Sequence, residues 1–384
     1  MTAAASPTPN PTQKPQQLVL LGAGHAHVQM LMQLALQPLP GTEVILVTPY
    51  PRQMVSSMVP GFVAGHYALD ACAIPLEPLV QRSGIRCLER NAVAVDAQRQ
   101  TLQLDDGSTL PYDWLSVNTG LVQDRGKIEH DLPGAREYGL FIRPLEAFSA
   151  LWPRVAAMGD ERALRVAVLG ADAGAIEMAL AVRHRLPTAA LTLVCGREPP
   201  GAMYSQKIQQ RLLAVLKKRR VTVLQDVALS LKAGAVQLGC GADLACDVPL
   251  VAVGTQAPQW LAGSGLALDT SGLLAVDMYQ RSTSHSRVFA AGDVSKRMDT
   301  PLQAGGVYAP RTGFALAYNL AAAMAGTALK PHPAQGTGGL QLLSCGGPYA
   351  VGAWGGFSAQ GRWVWWLRKW MDRRSVARYS VPGT

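Results

Sequence analysis

The stretch QLVLLGAGHAHV, residues 17–28, organises the rest of the chain. Leu18 to Leu21 is an unbroken apolar run, as expected of a parallel strand buried on both faces. Gly22, Ala23 and Gly24 follow at once, and the apolar-rich segment 25–36 reads as a helix. Strand, glycine turn and helix make a dinucleotide-binding opening. The first glycine permits the tight turn, and the second lets a pyrophosphate approach the backbone at the helix N-terminus. His27 stands where the fingerprint has its third glycine, and a generic strand-to-helix turn is the alternative reading.

The motif returns 148 residues later, from Gly22 to Gly170. Residues 165–169 (RVAVL) form a second apolar strand, followed by GADAGA and a helix from Ile176 carrying Glu177. Such a duplication implies two nucleotide-binding-type units in tandem. The second copy departs from the pattern. Asp172 replaces the glycine that lets a diphosphate approach, and at an effective dielectric of about 20 such a contact near 4 Å costs on the order of 4 kcal/mol. Arg197, just past the next strand, could accept a 2′-phosphate or be an ordinary surface arginine.

Between the copies lie a Thr48 where many such folds carry a ribose-binding acid, a Pro/Gly-punctuated loop at 49–67, and β runs near 85–95 and 100–104 with a turn at Asp106-Gly107. A buried strand then ends in Thr119-Gly120. After the second copy, a strand ends at Gly254, and residues 272–276 form another. VFAAGDV then ends a strand in Gly292-Asp293, placing one carboxylate at a sheet edge, where it can accept a polyol hydroxyl. PLQAGGVYAP and a helix at 311–324 follow.

The chain has 384 residues and a net charge of +9. That length allows two or more domains. Residues 362–378 contribute six Arg/Lys against one Asp, so the basic character sits in the tail. This points to a local anionic surface such as a membrane and away from nucleic acid. The six cysteines, at 72, 87, 195, 240, 246 and 345, show no CxxC, CxxxxC or metal-like spacing, so no metal site is expected and a reducing cytoplasm fits. Residues 1–16 read as a disordered tail without an apolar core, and the apolar stretch 313–326 is too short to span a bilayer. In the tail, Trp363, Trp366, Leu367, Trp370 and Met371 fall on one helical face, flanked by Arg362, Arg368, Lys369, Arg373 and Arg374. Either a membrane interface or docking on the protein's own body or on a dimer partner would suit it.

Together, GAGHAHV, the SSMVPGFVAGHY loop, GVYA at 306–309 and the tail AWGGFSAQGRW…DRR resemble the pyridine nucleotide-disulfide oxidoreductase-like flavoproteins. Among these they are similar to type II NADH:quinone and sulfide:quinone oxidoreductases, and most similar to the flavoproteins associated with selenophosphate synthetase. The resemblance covers roughly residues 17–378. It implies that Gly22, Gly24 and the amides around His25 and Ala26 hold the FAD pyrophosphate, and that Thr48 and Pro49 lie near the adenosine. It brings Ser56, Ser57, Met58, Thr119 and Gly120 to the flavin half, Gly292 and Asp293 to the ribitol, and the Gly306 and Val307 amides to the flavin pyrimidine. It gives NADH or NADPH the second unit, through Gly170, Gly174, Glu177, Arg197 and Gly254. Ala304 stands where the family carries a lysine.

The expected fold is therefore α/β: two Rossmann-like doubly wound FAD/NAD(P)-binding domains, the first discontinuous, plus a C-terminal appendage. The boundaries fall at 17–125, 126–256, 257–326 and 327–384. The expected function is an FAD-dependent oxidoreductase passing electrons from NAD(P)H to a quinone or other small acceptor, cytoplasmic or at the inner membrane face. Two alternatives are a flavin-holding partner or sensor linked to selenium metabolism, and sulfide or persulfide oxidation through Cys345. No side chain stands out as a general acid or base, although His66, near the expected flavin, is a candidate proton relay.

Overall fold

The apolar run of the opening motif becomes the strand Gln16–Leu21 in the computed structural model, which describes residues 15–300, 312–333, 339–355 and 357–379. This strand is central in a five-stranded sheet ordered Val288–Ala290, Trp114–Val117, Gln16–Leu21, Thr42–Val47, Arg86–Leu88, with every pair parallel. Side chains alternate across it. Leu18 and Leu20 join Val44 and Leu46 beneath the helices, whereas Val19 and Leu21 join Ile45 and Val47 on the opposite face. Helices His25–Leu36 and Thr312–Met324 cross closely because position 313 is glycine: a Cβ there would overlap the Ala26 carbonyl.

The second sheet repeats the plan. Its order is Leu140–Phe141, Val248–Val251, Arg165–Leu169, Ala190–Val194, Thr222–Leu224, again all parallel. The duplication extends beyond the motif, because each sheet carries a three-stranded antiparallel meander at the same point in its order. These are Ala92–Asp96, Thr101–Leu104 and Thr109–Pro111 in the first, and Ala228–Lys232, Ala235–Leu238 and Asp243–Ala245 in the second. The first sheet is completed by Val288–Ala290 only after the chain has built the second, so the first unit is discontinuous. A small antiparallel sheet (Gln341–Ser344, Ala350–Trp354, Phe357–Gly361) and the helix Arg362–Ala377 form the C-terminal appendage. Among the described residues, no helix is long and apolar enough to cross a membrane.

Several expectations need correction. The stretch 49–67 is not plain loop. It holds the strand Arg52–Met54, a 3-10 turn at Ser56–Met58 and the helix Val59–Val63, where Pro60 sits in the first turn and needs no N–H partner. The run near 85–95 divides: Arg86–Leu88 is the edge of the parallel sheet, and Ala92–Asp96 begins the meander. The second-copy helix starts at Ala173, a turn earlier than expected, because Asp172 caps it. Of the tail at 1–16, residues 1–14 lie outside the described residues, and Gln16 already belongs to the first strand.

His27 takes the place of the third glycine by packing the helix onto the sheet with its ring fully buried. Its Nδ1 lies 2.5 Å from the Gly22 carbonyl, which can only accept, so Nδ1 carries the proton. Nε2 then accepts from Ser116 Oγ at 2.8 Å. Burial lowers the imidazole pKa to about 4, against a smaller opposing effect of the Gly22 carbonyl. The unfolded ring binds a proton near pH 6.5 and the folded one does not until about 4. Stability from this residue is therefore full above that window and falls as pH drops through it, by about 3 kcal/mol. Denaturant titrations between pH 7 and 4 should show this loss, and His27→Gln should flatten it.

Candidate functional site

A cavity of about 1420 Å³ runs from the carboxyl ends of the first sheet's strands to the C-terminal helix. In open parallel sheets, ligands bind in the crevice outside the carboxyl ends of the strands. Its wall includes Gly22, Gly24, His25, Ala26, Thr48, Pro49, Ser56, Ser57, Thr119, Gly120, Gly292 and Asp293. Met58 is absent from it: the side chain is buried in the core. Gly306 and Val307, with Ala304, lie outside the described residues.

Sequence reasoning passed over the residue that assembles this wall. Asn118 ends the strand Trp114–Val117, and its own N–H donates to the Leu21 carbonyl. Its Oδ1 accepts from the Ala26 and His27 amides at 3.1 and 3.2 Å, and its Nδ2 donates to the Ala291 carbonyl at 2.6 Å. One amide side chain thus caps the helix His25–Leu36 from a neighbouring strand and ties it to the strand before Asp293. Gly22 has φ +86°, and a Cβ there would come within 2.7 Å of the Asn118 carbonyl; a Cβ on Gly24 would overlap the Asn118 side chain. The glycines are therefore required by Asn118 as well as by any ligand. The only hint in the sequence was its position, between the apolar run and Thr119-Gly120.

These residues fit a flavin dinucleotide. The helix His25–Leu36 has no acidic residue in its first turn, so its positive end is uncompensated by local carboxylates. Burial lowers His25 to about 4, so its ring adds no charge at neutral pH. Asp293 is exposed to the cavity and has no hydrogen bond or ion pair among the described residues, leaving its carboxylate to accept a hydroxyl. Arg90 and Asn91 extend the wall beyond Thr48.

The second copy is arranged differently. Asp172 accepts from the Ala175 amide at 2.8 Å, so a carboxylate of the chain itself occupies the helix N-terminus. Gly170 and Gly254 do not line the cavity, and Arg197 is exposed outside it. Gly174 and Glu177 do line it. Glu177, however, accepts from the Ser344 amide at 2.6 Å and pairs with Arg368 of the C-terminal helix.

Arg368 corrects the reading of the tail. It was expected as a flanking surface cation, but its side chain is buried, and it joins four elements. It contacts Glu177, the Leu342 carbonyl at 2.5 Å, the Ser57 carbonyl at 2.5 Å, and Asp372 at 3.7 Å. Burial works against its charge, but Glu177 and Asp372 outweigh that and hold its pKa up. The helix docks through Val364, Trp365, Arg368 and Asp372. Its aromatic face does not dock on the protein's own described residues: Trp363, Trp366 and Trp370 are 61, 57 and 57% exposed. Trp354 and Phe357, from the adjacent hairpin, are exposed too. Lys369 lies over the Trp365 and Trp366 rings, and Arg374 over Trp370.

Cys345 is buried, its thiol pushed up to about 12 mainly by burial, and it does not line the cavity. A reactive thiolate is therefore absent there at neutral pH. His66 lies outside the main cavity, with Nε2 2.6 Å from the Gly346 carbonyl and its ring against His184. Among the described residues, no group of three His, Cys, Asp or Glu side chains is arranged to hold a metal ion.

Comparison with known proteins agrees with this architecture. The chain is 25% identical over 246 residues to an NADH dehydrogenase-like protein of Mycobacterium tuberculosis, covering 60% of each. It thus spans about 60% of the length of the first curated relatives it matches. It is 26% identical to a probable ferredoxin reductase of Castellaniella defragrans, over 73% of this chain and 68% of the relative. The sulfide:quinone oxidoreductase of Aquifex aeolicus superposes with a TM-score of 0.74 over 96% of this chain and 93% of that one; at 15% identity, that likeness speaks for the fold. The model of the pyridine nucleotide-disulphide oxidoreductase family matches residues 16–319, and the chain belongs to that family.

Proposed function

We propose that the chain is an FAD-dependent oxidoreductase that takes electrons from NADH or NADPH and passes them to a small acceptor of the quinone class. The observation carrying this reading is the single cavity that joins the uncompensated helix end and Asp293 to the C-terminal helix. FAD would lie along the first sheet, with Gly22 and Gly24 at its diphosphate, Thr48 and Pro49 at its adenosine, Asp293 at its ribitol, and Ser57 and Thr119 toward the flavin. FAD supplies the two-electron chemistry, and the chain's residues bind and orient it. The domain limits we assign are 17–125 with 257–326 for the flavin unit, 126–256 for the nucleotide unit and 327–384 for the appendage.

The Asp172 cap favours a second reading, a flavin-holding partner without NAD(P)H turnover. Anaerobic absorbance titration separates the two. Bleaching of the flavin by one equivalent of NADH or NADPH supports the first, and Asp172→Gly should then tighten nucleotide binding by about tenfold. A flavin that stays oxidised in excess of both nucleotides contradicts the first reading and leaves the second.

The exposed Trp363, Trp366 and Trp370, with the cations flanking them, support contact with an anionic membrane surface, where a quinone would be met. A second copy of the chain is the competing occupant. Flotation with anionic liposomes should carry the wild type upward and leave the triple Trp→Ala variant behind. Wild-type protein that stays down and sediments as a dimer contradicts the membrane reading.

A further inference from the structure

The buried cluster where the C-terminal helix meets the turn Ser56–Met58 and the helix Ala173–Arg185 holds two carboxylates and one guanidinium. Glu177 has the closer share of Arg368 and the Ser344 amide besides. Asp372, one turn beyond Arg368, is 3.7 Å from its Nε, and its Oδ1 accepts from Ser57 Oγ at 2.9 Å. Arg368 is shared by both buried carboxylates, and a buried carboxylate with less than its full share of counter-charge is more readily protonated. Asp372 has the weaker share of the cation, so it is the more readily protonated of the two. Its pKa is accordingly raised, first by burial and further by Glu177, with Arg368 and Ser57 pulling it back. The other groups near it are the Tyr67 phenol and the Cys72 thiol, both pushed up to about 12 mainly by burial and so neutral, and His66 and Lys369, which border the void beside it.

Asp372 also borders two spaces. Ser57, Arg368 and Asp372 line the main cavity. The same three residues, with Tyr67, His66 and Lys369, also touch a void of about 10 Å³, room for one water molecule.

We propose that Ser57 and Asp372 form a proton route between solvent and the acceptor end of the cavity. This rests on the flavin reading above. A quinone-class acceptor becomes its hydroquinone by taking two electrons and two protons. Both electrons and one proton come from the reduced cofactor. The second proton leaves Ser57 Oγ, whose hydroxyl turns from Asp372 Oδ1 to the acceptor and takes the proton of Asp372 in its place. Asp372 is refilled from solvent through the void beside His66 and Lys369. Asp372 and Ser57 act through the chain of hydroxyls, and neither exchanges electrons.

The test compares two oxidants on photochemically reduced holoprotein. A water-soluble benzoquinone needs protons, whereas ferricyanide takes electrons alone. Asp372→Asn should slow reoxidation by benzoquinone at least about tenfold. Its ferricyanide rate should stay at the wild-type value. A purely structural role would slow both oxidants alike, and that result, or an unaltered benzoquinone rate, overturns the route. The second readout needs no turnover. Because folding raises the Asp372 pKa, wild-type stability should fall as pH rises through its folded pKa. Asp372→Asn should remove that part of the thermal-unfolding profile, and an unchanged profile contradicts the assignment. A purified chain that is colourless and takes up no FAD fails the underlying reading, is recognised before any variant is made, and takes the route with it.

Discussion

A guanidinium removed from water must be met by counter-charge and by acceptors for its N–H groups, and Arg368 is met by three parts of the chain at once. Glu177 comes from the second copy's helix Ala173–Arg185, the Leu342 carbonyl from the appendage, and the Ser57 carbonyl from the turn that follows the strand Arg52–Met54. The C-terminal helix therefore cannot be an independent attachment. It closes the cavity, and its own Asp372 becomes part of the wall. The position of Ser57, at the expected flavin end, depends on the same contact.

The second constraint is the Asn118 amide. A helix that begins at a glycine turn leaves its first N–H groups without partners. Here two of them are satisfied from the neighbouring strand, and the same side chain grips the strand leading to Asp293. In the duplicate, the equivalent need is met locally by Asp172. The two copies thus share a sheet order and a meander but diverge in how the helix end is capped. That difference separates an end that can receive a diphosphate from one already holding a carboxylate.

Much of the fold was legible because burial on both faces of a parallel sheet writes long apolar runs, as at Leu18 to Leu21 and Val166 to Leu169. The glycine turns marked where those strands stop. Asn118 was not legible, because its partners lie 92 and 91 residues before it and 173 after it, and no local pattern encodes such contacts. The tail showed its exposed face clearly through tryptophan spacing, yet that pattern hid Trp365 and Arg368. Arginine is read as a surface residue by default, and only the facing Glu177 reveals that it is buried. Cys345 was read as a candidate nucleophile; it is buried away from the cavity with its thiol pKa raised, which disfavours that role.

The central claim is that the first sheet's cavity is a flavin site anchored at Asp293, and titration of FAD into the flavin-free chain tests it most directly. The account predicts one FAD bound per chain, with affinity lowered about tenfold or more in Asp293→Ala, the loss of a charge-assisted hydrogen bond, and little change in folding stability because that carboxylate is exposed and unpaired among the described residues. A wild-type chain that binds no FAD, or an Asp293→Ala variant that binds it as tightly as the wild type, would contradict the account.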